Sequence, residues 1–72
     1  MKPLTPKRKR VLDFIKNFYA AAGYMPSYKE IQFALNIKSG GSVAQYLDAL
    51  EEGGYIKRGN GDRQIYITGD EA

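Results

Sequence analysis

The 72-residue sequence contains no cysteine and no histidine, and these two absences exclude several classes of function. Without cysteine, neither a disulfide framework nor a thiolate metal site can stabilise the small core. Without histidine, the chain lacks the usual general base and the commonest metal ligand, so we expect no enzyme activity, no cofactor and no bound metal. No apolar run approaches the roughly 20 residues of a membrane-spanning helix. The sequence therefore predicts one soluble domain in the cytoplasm.

Charge is modest in amount but segregated along the chain. The formal net charge is +3 and the isoelectric point is about 9.3, which alone supports a nucleic-acid partner only weakly. The cations gather near both ends and the acids in one short segment: Lys2, Lys7, Arg8, Lys9 and Arg10; Lys57, Arg58 and Arg63; Asp48, Glu51 and Glu52. Such segregation predicts that the folded domain presents a basic face.

The first helix is predicted from its cap and from the spacing of its apolar residues. Thr5 can cap the first turn, and Pro6 needs no amide partner at the first helical position. The helix is predicted to end at Ala22, before Gly23. Its apolar stripe recurs at three- and four-residue steps and is predicted to be buried. The stripe consists of Val11, Leu12, Ile15, Phe18, Tyr19 and Ala22.

A second, shorter helix is predicted after the connector that follows Gly23. Ser27 and Glu30 have the spacing of a capping box, which starts this helix at Tyr28. Asn36 tolerates a left-handed conformation and is predicted to end the helix. The residues expected to face the core are Ile31, Ala34 and Leu35, with Phe33 also assigned to the core.

A third helix is predicted to begin near Gly40–Ser42 and to stop at Gly53 and Gly54. Its buried stripe is predicted to consist of Val43, Leu47 and Leu50. Two helices of this size joined by a tight turn are typical of a helix-turn-helix, whose second helix can enter a DNA groove. The residues predicted to point outward are Gly41, Ser42, Ala44, Gln45, Asp48 and Ala49.

A two-stranded hairpin is predicted near the carboxyl end. Gly59-Asn60-Gly61-Asp62 is a strong turn signal, because Asn-Gly tolerates the positive φ angles that such turns require. Residues 55–58 and 63–68 alternate apolar and polar side chains, with Ile56, Ile65 and Ile67 inward and Lys57, Gln64 and Tyr66 outward. Three helices and a hairpin predict a mainly α winged helix-turn-helix over residues 1–68, with residues 69–72 as a frayed tail.

The outward residues at the start of the third helix suit an approach to DNA. They are small or neutral, so the backbone can come close, and the positive end of the helix favours phosphate. Gln45 is predicted to read a base, because its amide can pair with N6 and N7 of adenine. We expect one of Ser39 and Ser42 to cap the helix. The acids at the other end of the helix would repel DNA, so that end is expected to tilt away.

Several cations and phenols could contact the phosphate backbone, which positions a protein on the duplex. For the run from Lys7 to Arg10, a merely solvated helix face is an equally good interpretation. The predicted phosphate contacts are Lys7, Arg10, Tyr28, Lys38, Tyr46, Lys57, Arg58 and Arg63.

A set of residues spread over nearly the whole chain matches the pattern of one family. These residues are Leu4-Thr5, Gly23-Tyr24-Met25-Pro26-Ser27, Glu30-Ile31, Ser39, Val43, Leu47, Leu50-Glu51 and Gly54-Tyr55-Ile56, followed by a wing. The Gly-x-x-Pro-Ser-x-x-Glu-Ile segment is fairly specific among winged helices. Through these residues the chain resembles the amino-terminal domain of LexA repressors. In that family the domain binds an operator half-site as one arm of a dimer and represses genes of the DNA-damage (SOS) response.

The resemblance implies double-stranded DNA as the partner and a second copy of the chain on a palindromic site. It implies base contacts at Ser39, Gly41, Ser42, Ala44 and Gln45. Family members often carry Asn, Ser, Glu or His at the positions of Gly41 and Ala44, so we expect an operator other than the usual one. LexA repressors continue into a self-cleaving domain with a serine-lysine pair. This sequence contains no such domain, which fits either an excised domain or a free-standing relative.

The residues also leave a protein-docking role open, because a winged helix does not by itself fix function. The acidic end of the third helix, the modest net charge and the side chains of Tyr28, Phe33 and Tyr46 favour that alternative, for example in a small phage or accessory regulator. RNA binding has less support, because the sequence predicts no aromatic sheet on which bases could stack.

Overall fold

The computed structural model describes residues 4–60 and 64–68, which form three helices followed by an antiparallel hairpin. In chain order the elements are α1 (Pro6–Ala22), α2 (Tyr28–Ala34), α3 (Gly40–Glu52), β1 (Ile56–Arg58) and β2 (Ile65–Ile67). The predicted winged helix-turn-helix is confirmed. No helix within the described ranges is long and apolar enough to cross a membrane. The predictions for Lys2, Gly61, Asp62, Arg63 and the tail 69–72 lie outside the described residues.

Local capping chemistry sets the predicted starts of α1 and α2. The Thr5 hydroxyl accepts a hydrogen bond from the amide of Arg8 at 3.2 Å. Ser27 and Glu30 form the predicted reciprocal capping box, with amide-to-side-chain distances of 2.8 and 3.1 Å. Gly23 ends α1 in a left-handed conformation with φ of 84°. The bounds of these two helices therefore follow from residues within a few positions of each end.

The turn between α2 and α3 depends on one left-handed residue. Asn36 has a φ of 56°, as predicted, and no other non-glycine residue in the described ranges has a positive φ. The amide of Ile37 donates to the carbonyl of Gln32 at 2.9 Å, which closes the turn behind α2. The chain then enters α3 at Gly40. The two helices are thus joined as in a helix-turn-helix.

The buried core is formed by all three helices and the hairpin, with α3 at its centre. Helix α3 packs against α1, α2 and β1, and its predicted buried stripe is confirmed. The buried apolar residues are Val11, Leu12, Ile15, Ile31, Val43, Leu47, Leu50, Tyr55, Ile56 and Ile65. Because one side of α3 is covered by the other elements, its opposite side is left as an exposed surface.

The hairpin docks on the helices through one side. Its register pairs Ile56 with Ile67, Lys57 with Tyr66 and Arg58 with Ile65. Two of the predicted inward isoleucines are fully buried and Ile67 packs partly against the core, whereas Lys57, Gln64 and Tyr66 are exposed as predicted. A lone hairpin is marginal in water, so this contact with the helices supports the wing.

The predicted apolar stripe of α1 is wrong at its carboxyl end. Tyr19 is 51% exposed, Ala22 is exposed and Phe18 is only half-buried. The fully buried residues of α1 are Val11, Leu12 and Ile15, which lie in its middle turns. Periodicity identifies the side of a helix that faces the core, but it does not show how far the neighbouring elements extend along that side. The last turns of α1 reach beyond the residues that cover its centre.

The assignment of Phe33 and Ala34 to the core is also wrong. Phe33 is 91% exposed and Ala34 is exposed, whereas Ile31 is fully buried and Leu35 is half-buried. Phe33 lies two residues after Ile31, about 200° around the helix axis, and therefore points away from the core. Ala34 and Leu35 lie on either side of Ile31, and only the side of Leu35 is covered.

The exposure of Phe33 predicts that truncating its side chain hardly affects the fold. We expect Phe33→Ala to change the free energy of unfolding by no more than about 0.5 kcal/mol, as for other surface substitutions. A buried phenylalanine would lose about 3–5 kcal/mol in the same substitution. Urea denaturation of both proteins, followed by circular dichroism, measures the difference. A loss above about 2 kcal/mol would mean that Phe33 packs in the core.

Candidate nucleic-acid interface

The five residues predicted to read bases lie just before α3 or in its first turns, outside its buried stripe. Gly41 and Gln45 are exposed, Ser42 and Ala44 are half-buried, and Ser39 is exposed just before the helix. The Ser39 hydroxyl accepts a hydrogen bond from the amide of Ser42 at 3.2 Å, so the predicted serine cap is Ser39. The two serine hydroxyls lie 3.2 Å apart. We call the surface formed by these five residues the reading face.

The fold does not require the two glycines that begin α3. A Cβ atom added at Gly40 would come no closer than 3.9 Å to the side chain of Gln32. At Gly41 the nearest atom would be the Ser39 hydroxyl oxygen at 3.8 Å. Both distances are ordinary van der Waals contacts, and neither glycine has a positive φ. Glycine lowers helix stability by up to about 1 kcal/mol relative to alanine. The two glycines at the start of α3 therefore favour neither packing nor helix stability.

A basic cleft lies between α1 and the start of α3. Its volume is about 370 Å³, and it brings together four of the predicted phosphate residues: Lys7 and Arg10 from α1, Lys38 from the turn and Tyr46 from α3. Ser42 of the reading face also lines this cleft. The side chains of Val11, Leu35 and Ile37 complete its wall. An anion in this cleft would meet three cations and two hydroxyl groups at the edge of the reading face.

A second, smaller cleft places Arg8 beside the reading face. Its volume is about 190 Å³, and it is lined by Arg8, Ser42, Gln45 and Tyr46. Arg8 was not among the predicted phosphate contacts, although it belongs to the cationic run from Lys7 to Arg10. Its position one residue after Lys7, about 100° around α1, was the available signal. Arg8 lies on the side of α1 that faces α3.

The cations around the reading face have no carboxylate partner among the described residues. Lys7, Arg8, Arg10 and Lys38 are all exposed. Within residues 4–60 and 64–68, none of these four forms an ion pair. Uncompensated charges at a concave surface raise the local positive potential and attract polyanions. The merely solvated face remains an alternative for each cation, but the clefts place three cations of the run next to α3.

The wing carries one exposed cation and one that is engaged within the protein. Lys57 is exposed and lies opposite Tyr66 across the two strands. The side chain of Arg58 is only 19% exposed. Its Nε donates to Glu51 Oε1 at 2.9 Å, its Nη1 donates to Tyr28 Oη at 3.1 Å, and its Nη2 pairs with Asp48 Oδ1. Tyr28 and Arg58 were both predicted to contact DNA phosphates, but in the structure their side chains are hydrogen-bonded to each other.

The same contacts change the ionisation of Glu51 and Arg58. The hydrogen bond from the Arg58 side chain, followed by that from its backbone amide, lowers the pKa of Glu51 below its ordinary value. Burial lowers the pKa of Arg58, but its hydrogen bonds with Asp48, Glu51 and Tyr28 outweigh this effect and raise the pKa above the ordinary value. Both groups are therefore charged across the neutral range, and the acidic end of α3 is partly neutralised by the wing.

This ion pair predicts a pH-dependent contribution to stability. Because the pKa of Glu51 is lower in the folded than in the unfolded state, its contribution is present above the unfolded value of about 4.5. The contribution is lost as the pH falls through the lower, folded-state pKa. We expect Glu51→Gln to be less stable than the parent chain at pH 7, with a difference that disappears at strongly acidic pH. Urea denaturation across pH 2–7 measures it, and a difference independent of pH would contradict the assignment.

The three helices, the turn between α2 and α3 and the hairpin define a winged helix-turn-helix domain. A family model described as the LexA DNA binding domain matches residues 1–63, and the chain belongs to this family. The LexA repressor of Bacillus cytotoxicus is 42% identical over 72 residues, which cover 99% of this chain and 35% of that protein. LexA repressor 1 of Geobacter sulfurreducens is 40% identical over 70 residues, covering 96% and 35%. The chain spans about a third of the length of these relatives.

Proposed function

We propose that this chain binds double-stranded DNA sequence-specifically, as the reading head of a LexA-like transcriptional repressor. The observation that carries the proposal is the exposed start of α3, which lies beside two clefts lined by four cations that form no ion pair with any residue of 4–60 or 64–68. Membership of the LexA DNA binding domain family supports the same function, and the relatives named above are repressors. The proposed role involves no catalysis.

In the proposed complex the amino-terminal turns of α3 enter the major groove. Gln45 is exposed and one turn into the helix, where its amide can pair with N6 and N7 of an adenine. Ser42 offers a hydroxyl to a neighbouring base, and Ser39 retains a hydroxyl proton after capping the helix. Gly41 and Ala44 contribute by allowing the helix to approach closely, and Ala44 can also contact a thymine methyl group.

The phosphate backbone is proposed to lie in the basic cleft and against the wing. Lys7, Arg10 and Lys38 supply the cations of the cleft, and the Tyr46 hydroxyl can donate to the same strand. Lys57 of β1 is proposed to reach a second phosphate from the wing, together with Arg63. The partial neutralisation of Asp48 and Glu51 by Arg58 reduces the repulsion that the other end of α3 would exert on the duplex.

Fluorescence anisotropy with labelled duplex DNA at several salt concentrations tests the proposal. Five phosphate contacts, from the three cleft cations, Lys57 and Arg63, predict a log–log salt slope of about −4.5, because each contact contributes about 0.9. A slope near zero, or no binding at low salt, would contradict DNA binding. Binding by one copy is expected to be weak, because a single module buries only about 600–1,000 Å² of protein surface.

Selection of bound duplexes from a random pool tests sequence specificity separately. We propose a palindromic operator occupied by two copies of the chain, and an enriched palindrome would support both parts of that proposal. Good binding without enrichment would instead indicate an architectural role. The regulated genes are proposed, from the family resemblance, to belong to the DNA-damage response, and the chain is proposed to act at the nucleoid in the cytoplasm.

A protein-docking function is favoured by one observation, the 91% exposure of Phe33. The other aromatic residues named for that function, Tyr28 and Tyr46, pack partly against the core and give it less support. Replacing Gln45 and Lys38 with alanine separates the two functions. DNA binding should weaken in this double variant, whereas docking through Phe33 should not change.

A further inference from the structure

The side chain of Arg58 connects the wing to both helices of the helix-turn-helix. Arg58 belongs to β1, Tyr28 begins α2, and Asp48 and Glu51 lie in the last turns of α3. The guanidinium reaches all three side chains, and Glu51 also accepts a hydrogen bond from the backbone amide of Arg58 at 3.3 Å. Arg58 is thus fixed to Glu51 through both its side chain and its main chain.

These polar contacts add to the packing of Ile56 in the core, which also holds this short strand against the helices. Strand β1 has three residues and belongs to a two-stranded sheet, which is marginal when isolated. The guanidinium group is planar and presents its donors in a rigid fork, so three simultaneous contacts restrict both distance and angle. The neighbouring residue, Lys57, points to the opposite side of the strand and is exposed. Fixing Arg58 therefore also fixes the direction in which the side chain of Lys57 points away from the wing.

We propose that Arg58 is a positioning residue that holds the wing against α3, so that Lys57 and the reading face engage the same duplex. The inference rests on the proposed DNA binding. It departs from the sequence-based prediction that Arg58 itself contacts a phosphate, because each of its three guanidinium nitrogens contacts one of Glu51, Tyr28 and Asp48. Glu51 acts through Arg58 and does not touch the DNA.

Two substitutions of Glu51 separate positioning from simple charge. Glu51→Gln removes the negative charge but keeps an oxygen that accepts from Arg58, whereas Glu51→Ala removes both. The two variants have the same net charge, and both residues are good helix formers. If Arg58 only needs freedom to reach a phosphate, E51A should bind as tightly as E51Q. If Arg58 positions the wing, E51A should bind more weakly.

We expect E51A to bind duplex DNA at least about fivefold more weakly than E51Q. The free energy of one hydrogen bond to a charged group corresponds to a larger factor in affinity than this, so loss of the contact with Arg58 is sufficient for the expected effect. The magnitude of its salt slope should also fall by about 0.9, since the Lys57 contact is lost. Adding Lys57→Met should then change the salt slope of E51Q but not that of E51A, because E51A has already lost the contact between Lys57 and the phosphate. Such non-additivity shows that the two residues are coupled. Circular dichroism checks that every variant is folded.

A readout on the free protein keeps the inference separate from the proposed function. The Nε proton of Arg58 should be protected from exchange in the parent chain and in E51Q, and should lose protection in E51A. Equal DNA affinity and equal slopes for E51A and E51Q would overturn the inference while leaving DNA binding intact. Absence of DNA binding by the parent chain would overturn the proposed function, and unprotected Arg58 in the parent chain would overturn the positioning contact itself.

Discussion

Replacing Lys7 and Arg10 with glutamine should weaken binding to duplex DNA by roughly 50-fold at about 0.1 M salt. The log–log salt slope should lose about 1.8 of its magnitude, because two phosphate contacts are removed at about 0.9 each. Both cations line the basic cleft beside Ser42, and neither forms an ion pair in the described parts of the chain. Fluorescence anisotropy at four or more salt concentrations gives both quantities.

The matched control is the pair Lys9→Gln and Lys16→Gln, which removes the same charge from the same helix. Lys9 lies about 200° around α1 from Lys7, and neither control residue lines the two clefts at the reading face. We expect the control pair to leave most of the salt slope in place. Equal losses in both double variants would show that net charge, and not the basic cleft, determines binding.

Leu47→Ala should destabilise the domain by about 2–5 kcal/mol, the range for removing a large buried aliphatic side chain. Leu47 is fully buried at the centre of α3, which packs against α1, α2 and β1. A chain of this length has a total stability of about 4–11 kcal/mol, so the loss is a large share of the whole. We expect the melting temperature to fall by on the order of 15 °C.

Thermal and urea denaturation of Leu47→Ala measure this loss, and Phe33→Ala is the control. Both substitutions shorten a large apolar side chain on a helix of the helix-turn-helix, but Leu47 is fully buried and Phe33 is 91% exposed. Similar stability losses in the two variants would contradict the assignment of buried and exposed sides. A loss confined to Leu47→Ala would confirm α3 as the centre of the core.

Local chemistry explains why the helix starts could be predicted from the sequence. Thr5 and the Ser27–Glu30 box bond to amides three residues away, so their effects do not depend on the rest of the fold. The exposure of Phe33 and Tyr19 could not be predicted in the same way. It depends on which neighbouring elements cover each turn of a helix, and those elements lie elsewhere in the sequence.

In the candidate site, too, some positions could be predicted from neighbouring residues in the sequence and others could not. The helical period of α3 predicted the exposed position of Gln45 from residues of that helix alone. The position of Arg58 could not be predicted, because its partners Glu51 and Tyr28 precede it by 7 and 30 residues. From the sequence alone, Arg58 is one of several cations that could contact a phosphate. Its role differs because the fold places the carboxylates of Asp48 and Glu51 beside it.

The open space around Gly40 and Gly41 has a consequence for how such a domain can diversify. A Cβ atom at either position meets only ordinary van der Waals contacts, so substitution by alanine there is expected to leave the packing of the core undisturbed. If Gly41 lies at the DNA as proposed, a lineage could change its preferred DNA sequence at that position without passing through unstable intermediates. Under the proposed function, recognition and folding depend on different residues of the same helix, so selection can act on one while the other is preserved.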